Sequence, residues 1–355
     1  MQIIFFGTPE FAVPALEALV NAGYDVVSVV TQPDKPVGRG LKMEAPAVKL
    51  AAQKLGLTVL QPDTLNVVAR GLACPAPSPA LMRRVPRSDA AHKMPRYAIE
   101  LKILNPDLGV CVAYGKIIPK EILDLFPRGI LNIHPSLLPK YRGPSPIQTA
   151  IRNGDEETGV TIMLLDEEMD HGPILEQTFV HLDSSELCPT GHNSLHAPYP
   201  PTGNSITRFL AIKGAELLVE TLPKYLAGKI KPRAQDHAKA TFTKMLERED
   251  GRIDWRKPAD QIERIIRAYD MWPGTFTMWG AKRLKILRTS LLHSAIGCAN
   301  NATPGYVWRT DDGRLAVNCN PGSIIIETLQ LEGKKEMRGE EFLRGSPKFL
   351  GTVLK

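Results

Sequence analysis

Apolar residues along the first 230 positions follow two alternating patterns, one typical of strands and one typical of helices. Runs rich in β-branched residues predict buried strands at 2–6, 25–31, 58–60, 108–113 and 129–133. Apolar positions three and four residues apart predict helices at 11–21, 47–55 and 119–125. Apolar strands that alternate with helices indicate a doubly wound, mostly parallel sheet with helices on both faces.

The pattern changes in the last third of the chain. A helix is predicted at 214–228, where Gly228 ends it, and a connector rich in Lys and Pro follows. Beyond a helix at 258–267, short alternating strands are predicted at 275–279, 284–289, 305–309, 314–317 and 323–331. Short strands separated by turns are typical of a small β-barrel. We therefore predict an α/β domain at 1–230, a linker at 231–237 and a barrel domain at 238–355.

Two segments of the first domain, 71–97 and 184–208, are rich in proline and have no apolar period. Loops of more than about 15 residues without secondary structure are uncommon inside compact domains. We interpret both segments as disordered insertions at the surface. A lid over a site and a local reading-frame error are the alternatives.

The composition restricts the class of protein but does not indicate a function. The chain has 355 residues, of which 43% are apolar and 23% charged, as in an ordinary soluble globular protein. No apolar run approaches the ~20 residues of a membrane span, and the first residues lack the basic stretch of a signal peptide. The five scattered cysteines form no CxxC pair, which argues for free thiols and against a metal site. We expect a cytoplasmic monomer with no membrane partner.

The charge is concentrated at one end of the chain. Residues 231–355 carry 22 Lys and Arg against 15 Asp and Glu, which accounts for the whole net charge of +6. On the second predicted barrel strand, cationic side chains alternate at Lys282, Arg283, Lys285 and Arg288. Such a stripe is either a surface that contacts the phosphates of a nucleic acid or an ordinary solvated face.

An amide and an imidazole stand two residues apart at the end of the predicted strand 129–133. Because strand residues i and i+2 point to the same face, Asn132 and His134 should lie side by side. Ligands of open α/β sheets bind beyond the carboxyl ends of the strands, which favours a site here. An acidic stretch follows, with Asp166 and Asp170 as candidate partners of the imidazole. Amide, imidazole and carboxylate together suit acyl transfer onto an amine, as oxyanion donor, proton handler and orienting charge.

Each of these residues has a structural alternative. Asn132 and Asp170 are residues that also cap or form turns, and His134 is also compatible with a hydrogen-bonded core histidine. The turn after the first strand, Gly7-Thr8-Pro9-Glu10-Phe11, does not match the glycine pattern of a dinucleotide site, so NAD is not predicted.

The motifs carry a family resemblance. The signature of folate-dependent formyltransferases resembles residues 132–139 (NIHPSLLP), 142–143 (RG), 158–162 (TGVTI) and 169–172 (MDHG). The methionyl-tRNA branch of that family is similar at residues 6–12, 32–40, 112–116, 252–255 and 267–274. The resemblance covers almost the whole chain and fails at 71–97 and 184–208. Its specificity lies in the combination of motifs.

The resemblance implies a Rossmann-like domain followed by an OB-like barrel that binds tRNA. It implies formyl transfer, without a metal, from 10-formyltetrahydrofolate to the α-amino group of methionyl-initiator tRNA, for translation initiation. It also supplies roles: catalysis by Asn132, His134 and Asp170, with Asp170 holding the imidazole and favouring its cationic form. Folate contacts are expected from Ser136, Leu137, Leu138 and Pro139, and tRNA contacts from Arg39 and Lys42.

Three other functions remain open at this point. A formyltransferase for an amino sugar nucleotide carries a similar signature, but it does not explain the basic C-terminal third. A catalytically silent RNA-binding relative does not explain the intact amide, imidazole and carboxylate. A hydrolase that releases formate from the folate would need no amine acceptor.

Overall fold

A computed structural model describes residues 1–37, 40–63, 65, 96–182, 187, 200–292 and 303–355. Most of the two irregular segments, at 71–95, 184–186 and 188–199, lies outside the described residues. Contacts divide the chain into two compact units. The first comprises Met1–Gly143, Gly159–Phe179 and Arg208–Phe242, and the second comprises Pro144–Thr158, Val180–Thr207 and Thr243–Lys355.

A seven-stranded sheet forms the centre of the first unit as far as the structure describes it, in the order β5-β2-β1-β6-β7-β8-β9. Its strands are β1 (Gln2–Gly7), β2 (Asp25–Val30), β5 (Val59–Leu60), β6 (Leu108–Val112), β7 (Ile130–His134), β8 (Glu157–Leu164) and β9 (Ile174–His181). Neighbours from β5 to β7 are parallel, whereas β7 and β8 are antiparallel. The predicted mostly parallel, doubly wound sheet is confirmed, and the antiparallel β8 was not predicted.

Helices cover both faces of this sheet. The helices that lie wholly or mostly in the first unit are α1 (Val13–Asn21), α2 (Ala47–Lys54), α3 (Arg96–Ile103), α4 (Lys120–Leu123) and α6 (Gly203–Leu226), whereas α5 (Pro146–Asn153) belongs to the second unit. On one face, buried residues of α3 and α4 pack with Phe6, Cys111 and Ile130 in one apolar cluster. On the other face α6 approaches so closely that a Cβ on Gly214 would lie 2.7 Å from Ile133. Two-sided burial explains why these strands are apolar throughout.

Two local predictions are wrong. Helix α6 begins at Gly203 rather than at residue 214, inside the stretch interpreted as an insertion, and Ile206 and Leu210 extend its buried stripe. The helix continues through Pro223 and ends at Leu226. Because Pro223 lies close to the end of the helix, few of the helical hydrogen bonds are affected. The stretch 32–42, which its glycines and prolines predict to be a loop, contains an antiparallel hairpin of β3 (Lys35–Val37) and β4 (Lys42–Glu44).

The second unit contains an antiparallel sheet that forms a half-barrel, which confirms the predicted fold class. The described strands are β10 (Thr275–Trp279), β11 (Lys282–Leu291), β12 (Val307–Arg309), β13 (Leu315–Asn318), β14 (Ser323–Leu331) and β15 (Met337–Arg338). They pair in the order β10-β11-β14-β13-β12, with β15 on β14. Register shifts between β11 and β14 bend this pair, as bulges do. Helices α7 (Ala259–Ala268) and α8 (Gly339–Gly345) complete the unit.

Most of the cationic residues that the sequence places on strand β11 are exposed in the structure. Leu284 and Ile286 are buried in the core of the second unit, whereas Lys282, Lys285 and Arg288 are exposed. Arg283 is half-buried, with its guanidinium carbon 3.8 Å from the centre of the Phe276 ring. The period of two turns Lys285 away from the core that holds Leu284 and Ile286. Arg288 is exposed after the register shift that follows Ile286, and Lys282 is exposed at the start of the strand.

Among the residues that the structure describes, no helix is both long and apolar enough to cross a membrane.

Two buried free thiols give a prediction for alkaline stability. Burial raises the pKa of Cys111 and of Cys319 from 9.0 to about 12, because a thiolate is poorly solvated there. Between these values the unfolded chain loses protons that the folded chain keeps. Stability should therefore be unaffected by these thiols below about pH 9 and should fall above it, by up to about 1.4 kcal/mol per pH unit for each thiol.

The check is the free energy of unfolding in urea between about pH 8 and 11, for the wild type and a Cys111→Ala/Cys319→Ala variant. We expect the variant to lose less stability than the wild type over this interval. Parallel pH curves would contradict the prediction, whatever constant stability difference the smaller side chains introduce.

Candidate active site

Strand β7 carries two polar side chains into a buried position. All five of its residues are buried, and β6 pairs with it in parallel while β8 pairs on the other side. Asn132 lies opposite Cys111 of β6, and His134 lies opposite Thr161 of β8. The period of two therefore places the amide and the imidazole on the same face at the carboxyl end of a parallel strand.

The amide of Asn132 is buried and available. Its residue is 7% exposed, and no side-chain hydrogen bond joins it to any other residue that the structure describes. Buried amides are normally paired within the protein. A buried amide without a partner beside a titratable side chain is suited to donate to a bound substrate oxygen.

His134 is held by a main-chain carbonyl. Its Nε2 lies 2.9 Å from the carbonyl oxygen of Tyr141, and because a carbonyl only accepts, Nε2 carries a proton. Its Nδ1 lies 3.6 Å from Oδ1 of Asp170, an ion-pair distance that is too long for a hydrogen bond. Nε2 thus donates to the Tyr141 carbonyl, while Nδ1 faces the Asp170 carboxylate at an ion-pair distance.

Asp170, and not Asp166, lies beside the imidazole. Oδ2 of Asp170 accepts a hydrogen bond of 2.8 Å from the main-chain N–H of Gly143, which aims the other oxygen at His134. Asp166 instead lies 2.6 Å from Nδ1 of His171. The structure therefore brings Asn132, His134 and Asp170 together and separates Asp166 from them.

Strained backbone accompanies this cluster. Ala113, Tyr141 and Asp170 have positive φ values of 46°, 65° and 50°, a region that non-glycine residues rarely adopt. Ala113 follows β6, Tyr141 supplies the carbonyl that holds His134, and Asp170 supplies the carboxylate. Strain of this kind persists where the surrounding structure imposes it, and it concentrates at functional sites.

The loop 136–139 follows β7 directly. Ser136 is buried, and its hydroxyl donates to the carbonyl of Lys140 at 2.6 Å. Leu138 packs in a small apolar cluster with Met163 and Ile174. Leu137 and Pro139 are only partly buried. Of the four residues expected to contact a folate, Leu137 and Pro139 thus present accessible surface, while Ser136 and Leu138 support the loop.

Of the two residues expected to contact tRNA, the structure describes only Lys42. Arg39 lies outside the described residues. Lys42 is exposed at the start of β4, where it pairs with Val37 of β3.

Sequence reasoning placed residues 142–143 in the family signature but missed the polar network behind the site that Arg142 joins. Arg142 is 4% exposed, and its Nε and Nη2 donate to Oε1 of Gln235 at 3.1 and 2.8 Å. Its Nη2 also lies 2.8 Å from Nδ1 of His237, whose ring stacks on that of His171 at 4.1 Å. Gln235 and His237 fall in or next to the predicted linker, where no chemistry was expected. No sequence motif marked them.

A covalent cysteine intermediate does not suit this site. The thiol of Cys111 is the nearest candidate nucleophile along the sheet, opposite Asn132. Burial raises its pKa to about 12, so it remains protonated at neutral pH. Thiolates, not thiols, are the nucleophilic form. The arrangement therefore suits direct acyl transfer between two bound substrates. The described residues contain no group of three or more His, Cys, Asp or Glu side chains that could hold a metal ion.

Solved structures of two formyltransferases and of HypX have a similar fold. An N-formyltransferase from Helicobacter canadensis matches with a TM-score of 0.58 at 17% identity, over 92% of this chain and 98% of that chain. Methionyl-tRNA formyltransferase from Clostridium thermocellum matches with a TM-score of 0.50 at 17% identity, over 82% and 94%. HypX from Aquifex aeolicus matches with a TM-score of 0.56 at 18% identity, and this chain spans 48% of its length. At such low sequence identity, the structural similarity shows a shared fold.

Sequence comparison is more specific. The family model for formyl transferase matches residues 1–198, and that for the formyl transferase C-terminal domain matches residues 245–347. Methionyl-tRNA formyltransferase of Roseiflexus castenholzii is 44% identical over 348 residues, which cover 97% of this chain and 96% of the relative. Both domains and nearly the full length of the relative are therefore represented. The chain belongs to the methionyl-tRNA formyltransferase family.

Proposed function

We propose that this protein transfers the formyl group of 10-formyltetrahydrofolate to the α-amino group of methionyl-initiator tRNA. One observation carries the proposal: the buried amide of Asn132, which has no hydrogen-bond partner among the described residues, shares a strand end with His134, whose ring lies 3.6 Å from the Asp170 carboxylate. These are the groups that acyl transfer to an amine requires. Relatives at up to 44% identity bear the name of this activity.

The reaction replaces one carbon–nitrogen bond by another. The neutral amine attacks the formyl carbon and forms a tetrahedral intermediate with a negatively charged oxygen. Asn132 donates to that oxygen, where one such donor is typically worth about 3–4 kcal/mol. His134 manages the proton that leaves the incoming nitrogen and reaches N10 of the folate as the old bond breaks. Asp170 stabilises the imidazolium by its charge, and no covalent enzyme intermediate is needed.

The folate donor is proposed to lie against the loop 136–139. Leu137 and Pro139 supply the partly exposed apolar surface, and the buried Ser136 hydroxyl keeps the loop in shape through Lys140. A flat heterocycle is typically bound by such apolar walls with a few main-chain polar groups. The structurally similar N-formyltransferase from Helicobacter canadensis was solved in complex with folinic acid, a folate compound.

The tRNA acceptor is proposed to contact two basic surfaces. One comprises Arg39 and Lys42, and the other is the exposed face of β11 with Lys282, Lys285 and Arg288. The net positive charge of residues 231–355 supports a polyanionic partner over a small sugar nucleotide. We accordingly propose the C-terminal half-barrel as a tRNA-binding domain and residues 231–237 as its linker.

The direct test is formyl transfer by the purified chain from 10-formyltetrahydrofolate to methionyl-initiator tRNA. We expect transfer with the tRNA, and no comparable transfer to an amino sugar nucleotide or to water as free formate. Robust sugar formylation without tRNA use would replace the proposal by that activity. Free formate without an acceptor would indicate a hydrolase.

The same assay across tRNA concentrations tests the acceptor side. Arg39→Ala and Lys42→Ala are expected to raise KM for tRNA and to leave KM for the folate unchanged, because they remove phosphate contacts and no reacting group. Raised salt should weaken tRNA use in the same way, since each phosphate contact releases counterions. An unchanged tRNA profile in both variants would remove the hairpin from the tRNA site.

A further inference from the structure

Gln235 lies buried against the turn that carries Asp170, with 5% of its surface exposed. Its Nε2 donates two hydrogen bonds of 2.8 Å, to the main-chain carbonyls of Asp170 and Gly172. Its Oε1 accepts from Nε and Nη2 of Arg142. Because carbonyls cannot donate and a guanidinium cannot accept, the orientation of the amide is unambiguous. Nε2 and Oε1 of Gln235 are thus both engaged, by the carbonyls of Asp170 and Gly172 and by the guanidinium of Arg142.

These contacts act on a residue in a strained conformation. Asp170 has φ of 50°, and its side chain is fixed at one end only, by the N–H of Gly143. A left-handed non-glycine residue persists only where its surroundings impose the conformation. Gln235 supplies the second restraint, on the main-chain carbonyl of the same residue. The two bonds together determine where Oδ1 of Asp170 lies relative to His134.

We propose that Gln235 is a positioning residue for catalysis, which holds Asp170 at its distance from His134, and that Arg142 keeps the amide of Gln235 oriented. The inference rests on the proposed function. It gives the proposed linker, residues 231–237, a role at the active site in addition to its role as a connector. The segment is anchored there by further bonds, since the N–H of Arg142 donates to the carbonyl of Thr241 at 2.8 Å.

The test substitutes Gln235→Glu, which preserves size and the contact to Arg142 but places an oxygen against two carbonyl oxygens. We expect kcat to fall by about 10- to 100-fold, because displacement of a reacting group by ~1 Å has effects of this size. KM for the folate and for tRNA should stay unchanged, because Gln235 touches neither substrate. Gln235→Met, which removes both donors without adding charge, should lower kcat in the same way and serves if the glutamate variant does not fold.

A double-mutant cycle separates positioning from general destabilisation. In an Asp170→Ala background, measured as single turnover with excess enzyme, Gln235→Glu should cause no further loss, because its effect passes through Asp170. Thr277→Val provides the control. It removes the buried bond from Trp255 in the second unit, 3.0 Å long, and should lower the melting temperature without changing kcat.

Unchanged kcat in Gln235→Glu and Gln235→Met would overturn the inference. An equal loss from Gln235→Glu in the wild-type and Asp170→Ala backgrounds would overturn it as well. Absence of transfer by the wild-type protein would refute the proposed function itself and this role of Gln235 with it, so the two failures are distinguishable.

Discussion

Replacing His134 by alanine is expected to lower turnover by at least about a hundredfold, the lower range for loss of a general acid–base group. The imidazole is 4% exposed and is held by the Tyr141 carbonyl at 2.9 Å and faced by Asp170 at 3.6 Å. Under the proposed mechanism its removal deletes the group that handles the proton, and it leaves the Asp170 carboxylate without the imidazole at 3.6 Å. Rapid quench of formyl transfer under saturating substrates measures the effect on the chemical step.

His181→Ala is the matched control for the His134 variant. His181 is a histidine with an exposed side chain, 3.4 Å from Glu157, and it should contribute nothing to turnover. Circular dichroism and the melting temperature establish that both variants fold. Wild-type turnover in a folded His134→Ala protein would remove this residue from the mechanism.

Asn132→Ala is expected to have an effect of similar size, about 10²–10³-fold in kcat, the range found when one oxyanion donor is lost. The amide has no hydrogen-bond partner among the residues that the structure describes, so its removal leaves no other group unsatisfied. A loss of kcat with KM for both substrates retained is expected, because the oxyanion exists only in the transition state and the intermediate.

The control for Asn132 is Asn21→Ala, at the exposed end of α1, which should leave turnover and both KM values at the wild-type level. A folded Asn132→Ala protein with unchanged kcat would assign the amide a structural role, as the alternative of a turn-capping residue holds. A loss confined to KM would indicate a substrate contact instead of oxyanion stabilisation.

The contrast between the two acidic residues shows where sequence reasoning needed the structure. Asp166 and Asp170 are four positions apart in the same acidic stretch, so from the sequence either one is a candidate partner of the His134 imidazole. Only the fold distinguishes them, because Gly143 binds the Asp170 carboxylate while His171 binds that of Asp166. Family resemblance favoured Asp170, but no local pattern did so.

Positive-φ backbone and long-range polar contacts were likewise beyond the sequence. The carbonyl of Tyr141 reaches His134 because Tyr141 adopts φ of 65°, a conformation that its residue type does not suggest. Gln235 reaches Asp170 across 65 positions of the chain. Such contacts depend on which segments the fold brings together, and Gln235, a residue of the predicted linker, donates to the Asp170 carbonyl.

The sequence by itself determined the elements and the central pair. Apolar runs located β1, β2, β5, β6 and β7 of the first unit, because burial on both faces requires apolar side chains at every position, but they did not locate β8 and β9. The period of two put Asn132 and His134 on one face, because strand geometry alone dictates that relation. The tertiary structure decided the antiparallel pairing of β8, the choice of Asp170 over Asp166, and the restraint by Gln235. These depend on contacts between segments far apart in the chain, and no local propensity encodes them.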